Sequence, residues 1–218
     1  MDVQIKSCLE GARSAKGLAV IIDIINASST IVECFEKGAR EVIPVDSMQR
    51  AIEIKKAGDL ICGEMKIVKR VDFYNSPHYV DESVRGKRVI IKTDAGTKGI
   101  LGAKKAEEVV IGCFLNCSAL LSYIKNKKPE KVTLVPMGDY GRRKNIEDEA
   151  FAAFFKDLLE KRTGEDFSRI RRSVERGSIR NLFRILFLKA VITESLRLDT
   201  SRKVPVLSGN RLIPKTVL

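Results

Sequence analysis

Leu18-Ala19-Val20-Ile21-Ile22-Asp23-Ile24-Ile25-Asn26-Ala27-Ser28-Ser29-Thr30-Ile31-Val32 runs from an unbroken apolar segment directly into a helix start. Residues 18–24 are rich in β-branched side chains and lack polar alternation, the pattern of a strand buried on both faces. From Ser28 to Lys37 the spacing turns helical, and Ser and Thr are residues that satisfy the free N–H groups of a first turn. A buried strand leading into a helix is the opening half of a βαβ unit.

Outward from that unit the same rhythm recurs. Strand-like runs occupy residues 41–45, 59–63, 88–93, 108–114 and 131–135, with helical patterns at 47–56, 97–105 and 116–125. Alternation of this kind predicts an α/β fold, a three-layer α/β/α arrangement around a largely parallel central sheet. Residues 64–87 interrupt the rhythm with a long excursion that carries Asn75-Ser76-Pro77. After the sixth run, Phe151, Phe154, Phe155, Leu158 and Leu159 mark one face of a helix. Asn145 is placed to cap that helix, and Glu147, Asp148 and Glu149 fall in its first turn, where negative charge complements the helix dipole. A second apolar helix is expected over 178–197, with Leu182, Phe183, Leu186, Ala190 and Val191 on its buried stripe, and the basic segment between the two helices is expected to be a loop.

At 218 residues and 44% apolar content the chain is expected to form one domain, residues 1–218, with a basic helical carboxyl-terminal region from about 161. No apolar run reaches the roughly 18 to 20 residues of a transmembrane helix, and Met1 to Glu10 is not signal-like, so the expected location is the cytoplasm, away from membranes. Five cysteines and a single histidine, His78, argue against both a disulfide framework and a zinc site. The net charge of +12 is concentrated late: from Lys161 onward there are 14 Lys plus Arg against 5 Asp plus Glu. Such a face can attract nucleic acid, an anionic substrate or an acidic partner, although a solvated helical surface is the simpler account. No nucleic-acid module accompanies Arg169, Arg171, Arg172, Arg176, Arg180 and Arg184, so a nucleic-acid-binding protein is only the less favoured alternative. A homo-oligomer is neither required nor excluded.

In open α/β sheets, ligands bind beyond the carboxyl ends of the strands. There this chain places Asp23, Asn26 and Ser28-Ser29-Thr30, then Glu64, then Asp94 and Thr97, then Asn116. Asp23 caps a buried apolar strand, a position that is costly for a carboxylate unless a cation or donors compensate it. With Glu64 and Asp94 on neighbouring strand ends, the chemistry suits Mg²⁺ shared with a phosphate, with three unrelated surface acids as the alternative. Ser28, Ser29, Thr30 and Thr97 are candidates to bind the phosphate at helix starts, with ordinary capping as the alternative. The loop from Gly138 to Lys144 lacks the Gly-Lys-Ser/Thr ending of a P-loop, and His78 reads as a packed or surface residue.

Taken in order, these blocks resemble the 2-phosphosulfolactate phosphatase family. The resemblance lies in Asp23-Ile24-Ile25-Asn26-Ala27-Ser28-Ser29-Thr30-Ile31, Gly38 to Val45, Gly63-Glu64, Asn75-Ser76-Pro77, Asp94-Ala95-Gly96-Thr97, Gly112 to Ala119, and Gly138 through Ile146-Glu147-Asp148. It implies a Mg²⁺-dependent phosphatase of coenzyme M biosynthesis acting on a small anionic phosphorylated hydroxy acid. Asp23, Glu64 and Asp94 would be catalytic, with Asp23 and Glu64 on the metal. Asn26, Asn75, Ser76 and Asn116 would contact the substrate, and Glu147 or Asp148 would support the metal or stabilise their helix. Asn26 stands where the family has arginine, Ala95 where it has asparagine, and Pro136-Met137 where it has a small pair. A neutral amide cannot replace a guanidinium's paired, charged hydrogen bonds. Lys66, Lys92 and Lys98 are candidates to restore that charge, and a family member that binds its ligand without turnover is the competing expectation.

Overall fold

A computed structural model describes residues 1–64, 70–162, 166–178 and 185–217 of the chain. Ten strands appear among them: β1 (Asp2–Ile5), β2 (Leu18–Ile22), β3 (Glu41–Pro44), β4 (Leu60–Gly63), β5 (Phe73–Tyr74), β6 (Arg88–Lys92), β7 (Glu108–Ile111), β8 (Lys131–Pro136), β9 (Lys203–Ser208) and β10 (Arg211–Thr216). The helices are α1 (Cys8–Ser14), α2 (Ala27–Glu36), α3 (Met48–Ile54), α4 (Gly96–Gly102), α5 (Cys117–Lys127), α6 (Ile146–Glu160), α7 (Phe167–Ser178) and α8 (Ile185–Ser195). All six predicted strands are present. So are the five helices predicted from Ser28 to Leu159.

One sheet holds all ten strands in the order β1-β8-β2-β7-β9-β10-β3-β6-β4-β5. Its two outer portions are parallel throughout. Between them lies the β9–β10 hairpin, antiparallel to β7 on one side and to β3 on the other. The sheet is therefore largely parallel, as expected, with an antiparallel insert.

Alternate residues of each strand face opposite sides, as the period of two requires. Ile21, Val89, Ile91 and Ile111 pack with α2 and α4 residues such as Ile31, Phe35 and Ile100. Their neighbours Val20, Ile22, Val110 and Leu134 point the other way, toward Leu120, Phe151, Phe155 and Ile192 of α5, α6 and α8. A smaller cluster joins Ile43, Ile61 and Ile90 to Ala51 of α3. In the largest cluster Phe114 meets Phe151 edge-on at 4.9 Å, and Phe151 stacks on Phe155 at 5.5 Å. Each fully buried phenylalanine contributes roughly 1.5–3 kcal/mol of transfer free energy.

The segment before α8 differs from expectation. Residues read as a loop form α7, because Ile170 and Val174 lie four apart and are buried while Arg169, Arg172 and Arg176 stay exposed. Of the second predicted helix, α8 is described and buries Val191, while Leu182, Phe183, Arg180, Arg184 and the Leu186 side chain lie outside the described residues. No described helix is long and apolar enough to cross a membrane.

Candidate active site

At the carboxyl ends of β2, β4 and β6 is a cavity of about 210 Å³, lined among others by Asp23, Asn26, Glu64, Asn75, Asp94 and Tyr140. The adjacent strands β4 and β6 and the more distant β2 thus deliver the carboxylates that follow them to one space. Ala95, Gly138, Asp139 and Asn145 complete much of the wall.

Asp23 is 7% exposed, and its Oδ1 accepts the Ala27 N–H at 3.3 Å. A second backbone donor is Gly96. Burial first, and then the negative charge of Glu64, push the Asp23 carboxyl up to about 7, against the opposing pull of those two N–H groups. Close approach at this point requires glycine: a Cβ on Gly96 would lie 2.5 Å from the Ala27 Cβ and 2.8 Å from Asp23 Oδ2.

Glu64 is oriented by two donors. Its Oε1 accepts the Asn75 Nδ2 and the Asp94 backbone N–H, each at 3.3 Å. Asp94 in turn pairs with Lys92 at 2.9 Å, so this predicted compensating lysine sits on a pocket carboxylate. Lys98 is on α4 and does not line the cavity, and Lys66 lies outside the described residues. The amide oxygens of Asn26 and Asn75 are both buried without a hydrogen-bond partner.

The hydroxyls are placed differently. Ser28 Oγ accepts the Asp23 N–H at 2.9 Å and donates to the Ile21 carbonyl at 3.2 Å, while Ser29 and Thr30 donate to the carbonyls of Ile24 and Asn26, each at 2.9 Å. Thr97 and Thr93 exchange hydrogen bonds between side chain and backbone. These four predicted phosphate ligands, Ser28, Ser29, Thr30 and Thr97, lie behind the pocket wall, tying the turns that shape it, and do not line the cavity. Ser76 caps a short turn over Pro77–Tyr79 by accepting the His78 N–H, and His78 itself is exposed. Asn116 is fully buried and joins strands, accepting from the Cys113 N–H and donating to the carbonyls of Ile111 and Lys203.

Asp148 carries more of the site than its place in a helix's first turn suggests. It is fully buried, with Oδ1 accepting the Ile24 N–H at 2.7 Å and Oδ2 the Gly138 N–H at 2.8 Å, while Asn145 caps its own N–H at 3.0 Å. Burial and the nearby Asp23 raise its carboxyl well above the ordinary range. Glu147 is raised as well, mainly by burial. The signal that singles out Asp148 is its place three residues after a capping asparagine, immediately beyond the Gly138 loop. Gly138 itself has φ +61 and would bring a Cβ within 1.9 Å of the Arg143 carbonyl, which explains the glycine at that turn.

Among the described residues no group of three His, Cys, Asp or Glu is arranged to hold a metal. Two carboxylates and unpartnered amide oxygens are nonetheless hard donors of the kind Mg²⁺ takes, since it commonly keeps waters and substrate oxygens for its other positions.

Fold and pocket together define an α/β protein with a small, carboxylate-bearing pocket at the ends of parallel strands. Residues 4–207 match the family model described as 2-phosphosulpholactate phosphatase, and the chain belongs to that family. A relative from Thermotoga maritima named probable 2-phosphosulfolactate phosphatase is 42% identical over 127 residues, 57% of this chain and 55% of the relative. One from Pseudothermotoga lettingae with the same name is 34% identical over 178 residues, 80% and 76% of the two chains. A third, from Caldanaerobacter subterraneus subsp. tengcongensis, is 39% identical over 130 residues, covering 56% and 54%. In the first and third of these matches the chain spans little more than half the relative's length.

Proposed function

We propose that this chain is a phosphatase that hydrolyses the phosphate monoester of a small hydroxy acid, with 2-phosphosulfolactate as the substrate its relatives' names suggest, and that it uses Mg²⁺ held by Asp23 and Glu64. The observation that carries this reading is the pairing of the buried Asp23 carboxylate with that of Glu64, whose charge adds to the cost of ionising Asp23. A divalent cation between them would relieve that cost and would, when bound, neutralise phosphoryl oxygens as charge moves to the leaving group.

The residues of the chain divide the remaining work. Asn75 and the Asp94 N–H orient Glu64, and the Ala27 and Gly96 N–H groups hold Asp23. Asn26 and Ala95 face the substrate with a neutral wall, while Ser28, Ser29, Thr30 and Thr97 keep the two turns in shape. Catalysis of this kind is positional and electrostatic. The reaction would place the chain in coenzyme M biosynthesis.

Phosphate release from 2-phosphosulfolactate and a panel of phosphorylated hydroxy acids tests the proposal, with Mg²⁺ and with EDTA. Asp23→Asn and Glu64→Gln are each expected to lower kcat/KM by about 100-fold or more, in the range of lost transition-state charge stabilisation. Absence of Mg²⁺-dependent release across the panel would overturn it, and would favour a family member that binds its ligand without turnover.

A further inference from the structure

Asn75 is 6% exposed, lines the cavity, and has its amide orientation set by a hydrogen bond, because Nδ2 donates to Glu64 Oε1 at 3.3 Å. An amide nitrogen is a donor only, so the carbonyl end must be the oxygen. That oxygen is buried and has no hydrogen-bond partner. Leaving such an acceptor unmatched forfeits the hydration it would have in water with nothing in return. A native chain rarely carries that cost without a ligand, water or ion to meet it. The Asn26 amide oxygen, on the same cavity, is also buried and unmatched.

Two orphaned oxygens beside two carboxylates form a set of acceptors. Such a set selects a cation or a donor, and a neutral amide oxygen is a regular ligand of hard divalent ions. We infer that Asn75 Oδ1 is a direct ligand of the divalent cation, completing with Asp23 and Glu64 a site of two carboxylates and one amide. The inference rests on the metal-dependent reading above and adds a residue to it. It also gives Asn75 two tasks on one planar group: Nδ2 fixes Glu64 and Oδ1 binds the ion, so the amide sets the spacing between two metal ligands.

Mn²⁺ replaces Mg²⁺ as a probe, and its dissociation constant is read by calorimetry and by electron paramagnetic resonance on the full chain without substrate. Asn75→Leu is expected to raise that constant about tenfold or more, which falls in the range for loss of a group supporting a metal site. Because leucine also removes the donor to Glu64, Asn75→Asp decides between the two tasks. It too lacks the Nδ2 donor but presents a charged oxygen, so direct ligation predicts tighter Mn²⁺ binding than wild type. A role limited to orienting Glu64 predicts weaker binding in both variants, and that result overturns the inference while leaving metal binding by Asp23 and Glu64 intact. Wild-type protein that binds no Mn²⁺ overturns both. If the leucine variant fails to fold, the aspartate variant alone separates the two outcomes.

Discussion

The Asp148 carboxylate accepts the Ile24 backbone N–H at 2.7 Å, fastening the first turn of α6 to the residue that follows Asp23. Its second oxygen holds Gly138 at 2.8 Å. Asp148→Ala would leave two buried N–H groups unmatched at about 1–3 kcal/mol each, so a loss of about 2–6 kcal/mol is expected in urea unfolding. Asparagine should not rescue it fully, since its amide turns a donor toward one of those N–H groups. Wild-type stability in Asp148→Asn would show that the double hydrogen bond contributes little.

Asp23 predicts a pH dependence of stability. Its folded value of about 7 lies above the unfolded value of 3.8, so between those limits the native state binds more protons than the unfolded one. Stability of the metal-free protein should fall as pH rises from about 4 through 7. The quantity to measure is the difference between wild type and Asp23→Asn in chemical unfolding across that window. A difference that stays flat, or changes in wild type's favour with rising pH, contradicts the raised carboxyl. Excess Mg²⁺ should flatten the slope, because an ion bound to the carboxylate competes with the proton.

Gly96 sets how closely α4 approaches Asp23. Alanine there must displace either Ala27 or the carboxylate, since its Cβ would fall 2.5 Å and 2.8 Å from them. Overpacking of this kind costs about 1–3 kcal/mol. With Asp23 shifted, phosphatase activity should drop at least about tenfold at a temperature where the variant remains folded. Unchanged kcat/KM in folded Gly96→Ala would mean that the position of Asp23 is not critical.

All five cysteines are unpaired, and only Cys8 is not buried. Burial raises all five thiols, Cys8 included, so access rather than thiolate character decides which reacts first. A thiol reagent should therefore label one site quickly in native protein and five after denaturation. Two or more fast sites would show that the core opens readily.

Much of the fold is readable because buried parallel strands announce themselves locally, as Leu18 to Ile22 does with five consecutive buried residues. β1 escapes such a reading because Asp2-Val3-Gln4-Ile5 is short and buries only Val3, so its place as an edge strand depends on pairing with β8. β9 and β10 contain Pro205 and Pro214, which weaken a strand pattern, and their insertion between distant strands is a tertiary fact. α7 is legible in principle, from Ile170 and Val174, but its dense arginines hide the stripe. In the site, Asp23 and Glu64 stand out because carboxylates at the ends of apolar strands are conspicuous. The direction of a hydroxyl is not encoded locally in the same way: Ser28, Ser29 and Thr30 read alike as phosphate ligands or as ties to their own backbone, and the hydrogen bonds of the turn choose the latter.

The β9–β10 hairpin also has a bearing on how the chain comes to be made. Asp23 belongs to the parallel portion that contains β2, and Glu64 to the portion that contains β4, while the strands linking those portions within the sheet follow all the others in translation order. Each portion can pair its own strands while synthesis proceeds, but the sheet that joins them is continuous only once β9 and β10 are in place. Removing the hairpin is therefore expected to split the sheet between β7 and β3, leaving α2 and α4 as the links between the portions that carry the two carboxylates.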